Sequence, residues 1–76
     1  MARAEIHWED PAGTPNTASA MIEDTSRSGM SIRSPKQISV GSKLEVKWHR
    51  EHLVGVVRNC RKDGFEYLLG IQRDLP

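Results

Sequence analysis

The residues best placed to do chemistry in this 76-residue chain are Asp24, Ser26 and Gly29, which stand in a D-x-S-x-x-G arrangement within IEDTSRSGMSI, residues 22–32. The segment lies between an apolar strand end and an apolar strand start. A short polar loop of this kind combines three things: a carboxylate that accepts the N–H donors on a purine edge, a hydroxyl for a phosphate or base, and a glycine that lets backbone approach a ligand. Arg27 and Ser28 add donors for anionic oxygens. The same residues also have a purely structural use, in which Asp24 and Ser26 cap their own loop through Asx and ST turns while Gly29 supplies a positive φ.

Other constellations fall short of a reaction. His7, His49 and His52 have no metal-ligand spacing, although His49 and His52 flank a tight Arg50-Glu51 turn. Cys60 stands near Arg58 and Arg61 but has no base partner in the pattern, which reads as a small packed residue. A single cysteine makes no internal disulfide and no thiolate metal site. No nucleophile elbow, phosphate-binding glycine loop or paired-carboxylate arrangement is present, so the expectation is a binding module with no cofactor and no enzymatic activity.

The elements that must hold the Asp24 loop are strands. Leu44, Val46 and Trp48 alternate with Glu45, Lys47 and His49. Ala2, Ala4, Ile6 and Trp8 alternate with Arg3, Glu5 and His7, and the period recurs at Phe65, Tyr67, Leu69 and Ile71. Six strands are predicted, at about 2–8, 17–24, 29–34, 43–49, 52–61 and 64–73. Breakers separate them: Asp10, Pro11, Gly13, Pro15 and Asn16, then Pro35, then Gly41-Ser42, and an Asp63-Gly64 hairpin signal. Short strands joined by short turns in so small a chain favour a closed all-β barrel with no substantial helix. The expected inward set is Ile6, Trp8, Met21 or Ile22, Met30, Ile32, Leu44, Val46, Trp48, Val54, Val56, Phe65, Tyr67, Leu69 and Ile71. Gly55 and Gly70, inside strand patterns, are expected at sharp barrel corners.

Length and composition bound the rest. The chain holds one domain, residues 1–76, with an expected stability of about 4–11 kcal/mol. Its 37% hydrophobic and 28% charged residues are those of a folding globular chain. No apolar run approaches the roughly 18 residues of a membrane span, and the N-terminus lacks a secretory signal, so no membrane insertion and a cytoplasmic location are expected. The formal charge of +1 conceals a polarity. Residues 1–24 carry one basic and five acidic side chains, residues 25–62 nine basic and two acidic, and residues 63–76 one basic and three acidic. A basic middle suggests an anionic partner, while strand-facing charges also serve solubility and block edge pairing.

The D-T-S-R-S-G loop after Met21-Ile22-Glu23, the following Met-Ser-Ile strand and the Gly-Ser-Lys-Leu turn carry a resemblance. So does the run from Val54-Gly55-Val56-Val57-Arg58 through Leu69-Gly70-Ile71. Together they resemble a PilZ domain over nearly the whole chain. The resemblance implies a six-stranded antiparallel barrel of the split-barrel type, acting as a bacterial receptor for the second messenger cyclic di-GMP. It implies ligand contacts from Asp24, Ser26 and Gly29, to a guanine and its adjoining phosphate. Arg27 and Arg3 are additional cationic candidates. The family's other motif, R-x-x-x-R on an arm before the first strand, has no match: Arg3 is followed four residues later by His7. The C-terminal helix that many members append has no counterpart after Arg73.

Three functions follow as expectations. The first is a cyclic di-GMP-binding regulatory module serving a protein partner in motility, polysaccharide or signalling machinery. The second is a degenerate relative that has lost the nucleotide and acts as a protein-interaction adaptor. The third is a small barrel binding single-stranded nucleic acid, which needs exposed aromatic platforms among the cations. Only Trp8, Trp48, Phe65 and Tyr67 are available, their phase puts most of them inside, and nucleic acid is not the expected partner.

Overall fold

A computed structural model describes residues 2–74. They form β1 (Ala2–Glu9), β2 (Pro15–Thr25), β3 (Gly29–Ser34), β4 (Lys43–Trp48), β5 (Glu51–Asp63) and β6 (Glu66–Arg73). All pairings are antiparallel, and the strands close in the order β1-β2-β3-β6-β5-β4. The all-β, six-stranded antiparallel barrel expected from the alternation is therefore the fold, and no helix long and apolar enough to cross a membrane occurs among the described residues.

The connections follow from local chemistry. Between β1 and β2, the Asp10 carboxylate accepts from the backbone N–H groups of Ala12 and Thr14 at 3.0 and 2.9 Å, and Gly13 takes φ +85°. This is an Asx turn with glycine at its left-handed position. Pro35 ends β3, and buried Ser34 turns the chain there, its hydroxyl donating to the Lys36 carbonyl at 2.9 Å and accepting from the Lys36 N–H at 3.0 Å. The segment to β4 carries Ile38 into the core at 1% exposure and is tied down by Gly41 N–H to the Val57 carbonyl and Val57 N–H to the Ser42 carbonyl. Ile38 escaped the sequence reading because it belongs to no alternating run.

Inside the barrel lie Ala4, Ile6, Ala20, Ile22, Met30, Ile32, Leu44, Val46, Leu53, Val57, Leu69 and Ile71, with Trp8, Trp48, Cys60 and Tyr67 packed half-buried against them. Two expectations are corrected. In β5 the inward residues are Leu53, Gly55 and Val57, with Val54 and Val56 only half-buried. Leu-Val-Gly-Val-Val offers apolar residues in both phases, and pairing decides between them. Val46 lies opposite Leu53 and Leu44 opposite Gly55, and directly opposed residues share a face. Phe65 is fully exposed, because the ladder ends at Asp63–Glu66 and the two-residue turn is Gly64-Phe65, with Gly64 at φ +68°. Gly55 and Gly70 stand at close approaches: a Cβ on Gly55 would lie 2.3 Å from the Gln72 carbonyl oxygen, and one on Gly70, opposite the register shift in β5, would lie 2.7 Å from the Asn59 amide.

Charged side chains clasp the outside. Arg33 on β3 reaches Glu23 on β2 through Nε at 3.0 Å and Asp63 at the end of β5 through a terminal nitrogen at 2.8 Å. These partners hold the guanidinium charged well above its usual range. On β4 and β5, His52 Nε2 meets a Glu45 carboxylate oxygen at 2.7 Å, and Lys47 lies 3.8 Å away. The hydrogen bond from His52, followed by the charges of Lys47, His52 and His7, holds the Glu45 carboxyl below its ordinary value of 4.5.

Two measurements check this arrangement. In urea unfolding, Ile32→Ala, at a fully buried site, lowers stability by about 2–5 kcal/mol, whereas Phe65→Ser changes it by no more than about 0.5 kcal/mol. Glu45 has a depressed folded pKa, so its contribution is complete above pH 4.5 and is lost as pH falls through the lower folded value. The stability gap between the native chain and Glu45→Gln is therefore present at pH 6 and closes in stronger acid. A gap that persists unchanged below that range contradicts the assignment.

Candidate functional site

The D-x-S-x-x-G residues lie where β2 hands over to β3. Opposite Ile32, Ile22 points inward, but the register shifts between Ile22 and Asp24, leaving Glu23 as an extra residue and setting Asp24 opposite Ser31. This irregularity keeps the Asp24 carboxylate on the outer face, exposed, with no hydrogen bond or ion pair among the described residues. The loop is short. Ser26 N–H donates to the Gly29 carbonyl at 2.8 Å, and the Ser28 carbonyl accepts from Arg73 N–H at 2.6 Å, which ties the loop to β6. The Ser26 hydroxyl lies 3.3 Å from that of Ser28 and 3.4 Å from the Gly29 carbonyl, both long for O–H···O bonds, so its hydrogen-bonding capacity is largely unspent.

The turn-capping use of these residues is not what the structure contains. Asp24 makes no Asx turn, and Gly29 is absent from the positive-φ glycines, which are Gly13, Gly41 and Gly64. Gly29 is needed for a different reason: a Cβ there would stand 1.9 Å from the Ile71 carbonyl oxygen and 3.0 Å from its carbon. Its missing side chain lets β3 lie against β6, and the glycine itself is buried.

Together these residues border a cleft of about 470 Å³ on the outer face of β3, β6 and β5. Asp24, Thr25, Ser26 and Ser28 form one wall, Arg58, Asn59 and Gln72 the other, with Gly70 and Ser31 between them. Small residues in the middle leave the floor open, while Asp24 and Arg58 are the two charged residues of the lining. A larger hollow of about 680 Å³ against Trp8 contains none of the motif residues.

The other candidates fall outside. Arg27 is exposed between the two serines but does not line the cleft. Arg3 is within β1, opposite Met21, and borders a separate hollow with Ser19, Arg33, Pro35 and Glu66. The start of β1 is nevertheless close to the motif, since Ala2 shares a shallow groove with Glu23, Asp24, Thr25 and Trp48. Sequence reasoning missed Arg58, Asn59 and Gln72 as parts of one site. No stretch of sequence signals this, because the three residues are brought to the loop by the β3–β6 pairing and by a register shift in β5, where inward Val57 and half-buried Cys60 stand three residues apart, a spacing that no regular strand produces. No group of three or more His, Cys, Asp or Glu able to hold a metal occurs among the described residues.

Because Gly29 fills a packing role, Gly29→Ala lowers stability by about 1–3 kcal/mol in urea unfolding, whereas Ser26→Ala stays within about 0.5 kcal/mol. Equal stability for the glycine variant and the native chain contradicts the close approach of β3 to β6.

A family model for the PilZ domain matches residues 2–76. No curated protein matches the chain. The match takes in all six strands and the loop from Asp24 to Gly29, and PilZ domains are ligand-binding and adaptor modules without catalytic activity of their own. A closed six-stranded barrel with the D-x-S-x-x-G loop at the β2–β3 junction, matched from end to end by that model, places the chain in the PilZ domain family.

Proposed function

We propose that this chain is a cyclic di-GMP-binding regulatory module whose ligand occupies the cleft beside the Asp24–Gly29 loop. The observation that carries the reading is the loop itself: the family's D-x-S-x-x-G residues stand at the mouth of a small-floored cleft, with a carboxylate and two hydroxyls that the protein leaves underused. An unpaired carboxylate suits the Watson–Crick edge of guanine, which offers adjacent N–H donors, and does not suit an edge made of acceptors. The hydroxyls of Ser26 and Ser28 are within the same loop and suit phosphate oxygens. Gly29 contributes indirectly, by letting the loop end flat against β6. A regulatory role follows from a ligand that touches both walls, since it changes the surface offered to a protein partner.

Titration of the isotope-labelled chain with cyclic di-GMP tests the reading. Expected are amide shifts in residues 24–33 and in Asn59 and Gly70–Gln72, with Asp24→Ala weakening binding by tenfold or more, the scale of a lost charge-assisted hydrogen bond. No movement of these amides at millimolar ligand overturns it.

A further inference from the structure

The second charged residue of the cleft is held in an unusual way. Along β5, Val57 pairs with Ile71 and Asn59 with Gly70, so that Arg58 is the extra residue of a β-bulge. In a regular strand, neighbours face opposite sides; here Arg58 and Asn59 are both exposed and both border the cleft. The guanidinium is also anchored: Nε of Arg58 donates to the side-chain carbonyl oxygen of Gln72 on β6.

What matters is the nature of that anchor. Arg33 spends its donors on two carboxylates, Glu23 and Asp63, which fix it and neutralise it. Arg58 is fixed by a neutral amide through one of its five N–H donors, and has no ion-pair partner among the described residues. Its two terminal nitrogens make no hydrogen bond among the described residues and keep their hydrogens in a planar fork, and Arg58 lines the same cleft as Asp24 and the serines. A fork held this way is preorganised for a bidentate contact with an anionic tetrahedral group, and keeps the charge that a carboxylate neighbour would cancel.

We propose that Arg58 is the phosphate-binding cation of this cleft and that Gln72 is its positioning residue. With Asp24 opposite, the cleft then selects ligands that carry an N–H donor edge and a phosphate on the same molecule. The proposal rests on the preceding functional reading for the identity of the full ligand, but the anion site at Arg58 is separately measurable.

Calorimetry on the full chain with cyclic di-GMP, supported by melting curves that establish folding of each variant, provides the test. Arg58→Gln is expected to weaken binding at least tenfold and to flatten its salt dependence. Arg58→Lys recovers only part of the loss, because it restores charge without the fork. Gln72→Ala weakens binding a few-fold, and Gln72→Glu weakens it further, since it keeps the acceptor but cancels the charge; a merely structural tether predicts the opposite order. Arg61→Gln, outside the cleft, binds as the native chain does. Equal affinity for Arg58→Gln and the native chain overturns the role of Arg58 while leaving the function standing. If the native chain takes up no cyclic di-GMP, the functional reading fails, and the Arg58 site is decided with sodium pyrophosphate. A shift of the Arg58 Nε–H resonance that Arg58→Lys cannot show supports the site, and an unmoved resonance at tens of millimolar overturns it.

Discussion

Two three-stranded meanders, β1-β2-β3 and β4-β5-β6, become one barrel through two seams. One runs from Gly29–Gln72 to Ser34–Tyr67 between β3 and β6, and the other from Glu5–Lys47 to Trp8–Leu44 between β1 and β4. The first begins where Gly29 approaches the Ile71 carbonyl so closely that no other residue fits without backbone movement. Everything around the cleft depends on that contact. It brings the loop on β2–β3 beside Gln72, and through Gln72 beside Arg58, so that residues more than thirty positions apart in the chain share one surface. It also explains why a motif glycine is buried when the rest of its loop is exposed.

The strands were legible because each presents alternating apolar residues to a single enclosed core, and the pattern of Leu44, Val46 and Trp48 admits one orientation only. The apolar stretch of β5 admits two, and its phase is set by its neighbour across the ladder, information that no window of β5 contains. Phe65 was misplaced for a related reason: it continues the alternation of Tyr67, Leu69 and Ile71, but the chain reverses before the pattern can. The site was half legible. Asp24, Ser26 and Gly29 form a local motif readable from spacing, whereas Arg58, Asn59 and Gln72 meet it through a bulge and a seam, both products of pairing.

The basic central stretch looks different once folded. Arg33 is consumed by Glu23 and Asp63, Lys43 lies 3.3 Å from Asp74, and Lys47 is shared with Glu45. Acidic residues from both flanking segments therefore neutralise part of the middle, so a count of +7 along the sequence does not become a patch of that strength. Trp8, Trp48 and Tyr67 pack against the core, leaving Phe65 as the exposed aromatic side chain among the described residues, without the stacked platforms that single-stranded nucleic acid requires.

The two seams also determine when the cleft comes into being. Hairpins between successive strands join residues close in sequence and form quickly, whereas Gly29–Gln72 and Trp8–Leu44 close long loops and carry the entropic barrier that slows folding of non-local β topologies. The walls of the cleft belong to opposite meanders, so neither hairpin unit alone possesses it. Ligand uptake at this surface is thus a property of the finished barrel, and a chain caught between its hairpins and its seams is blind to the ligand however native its strands.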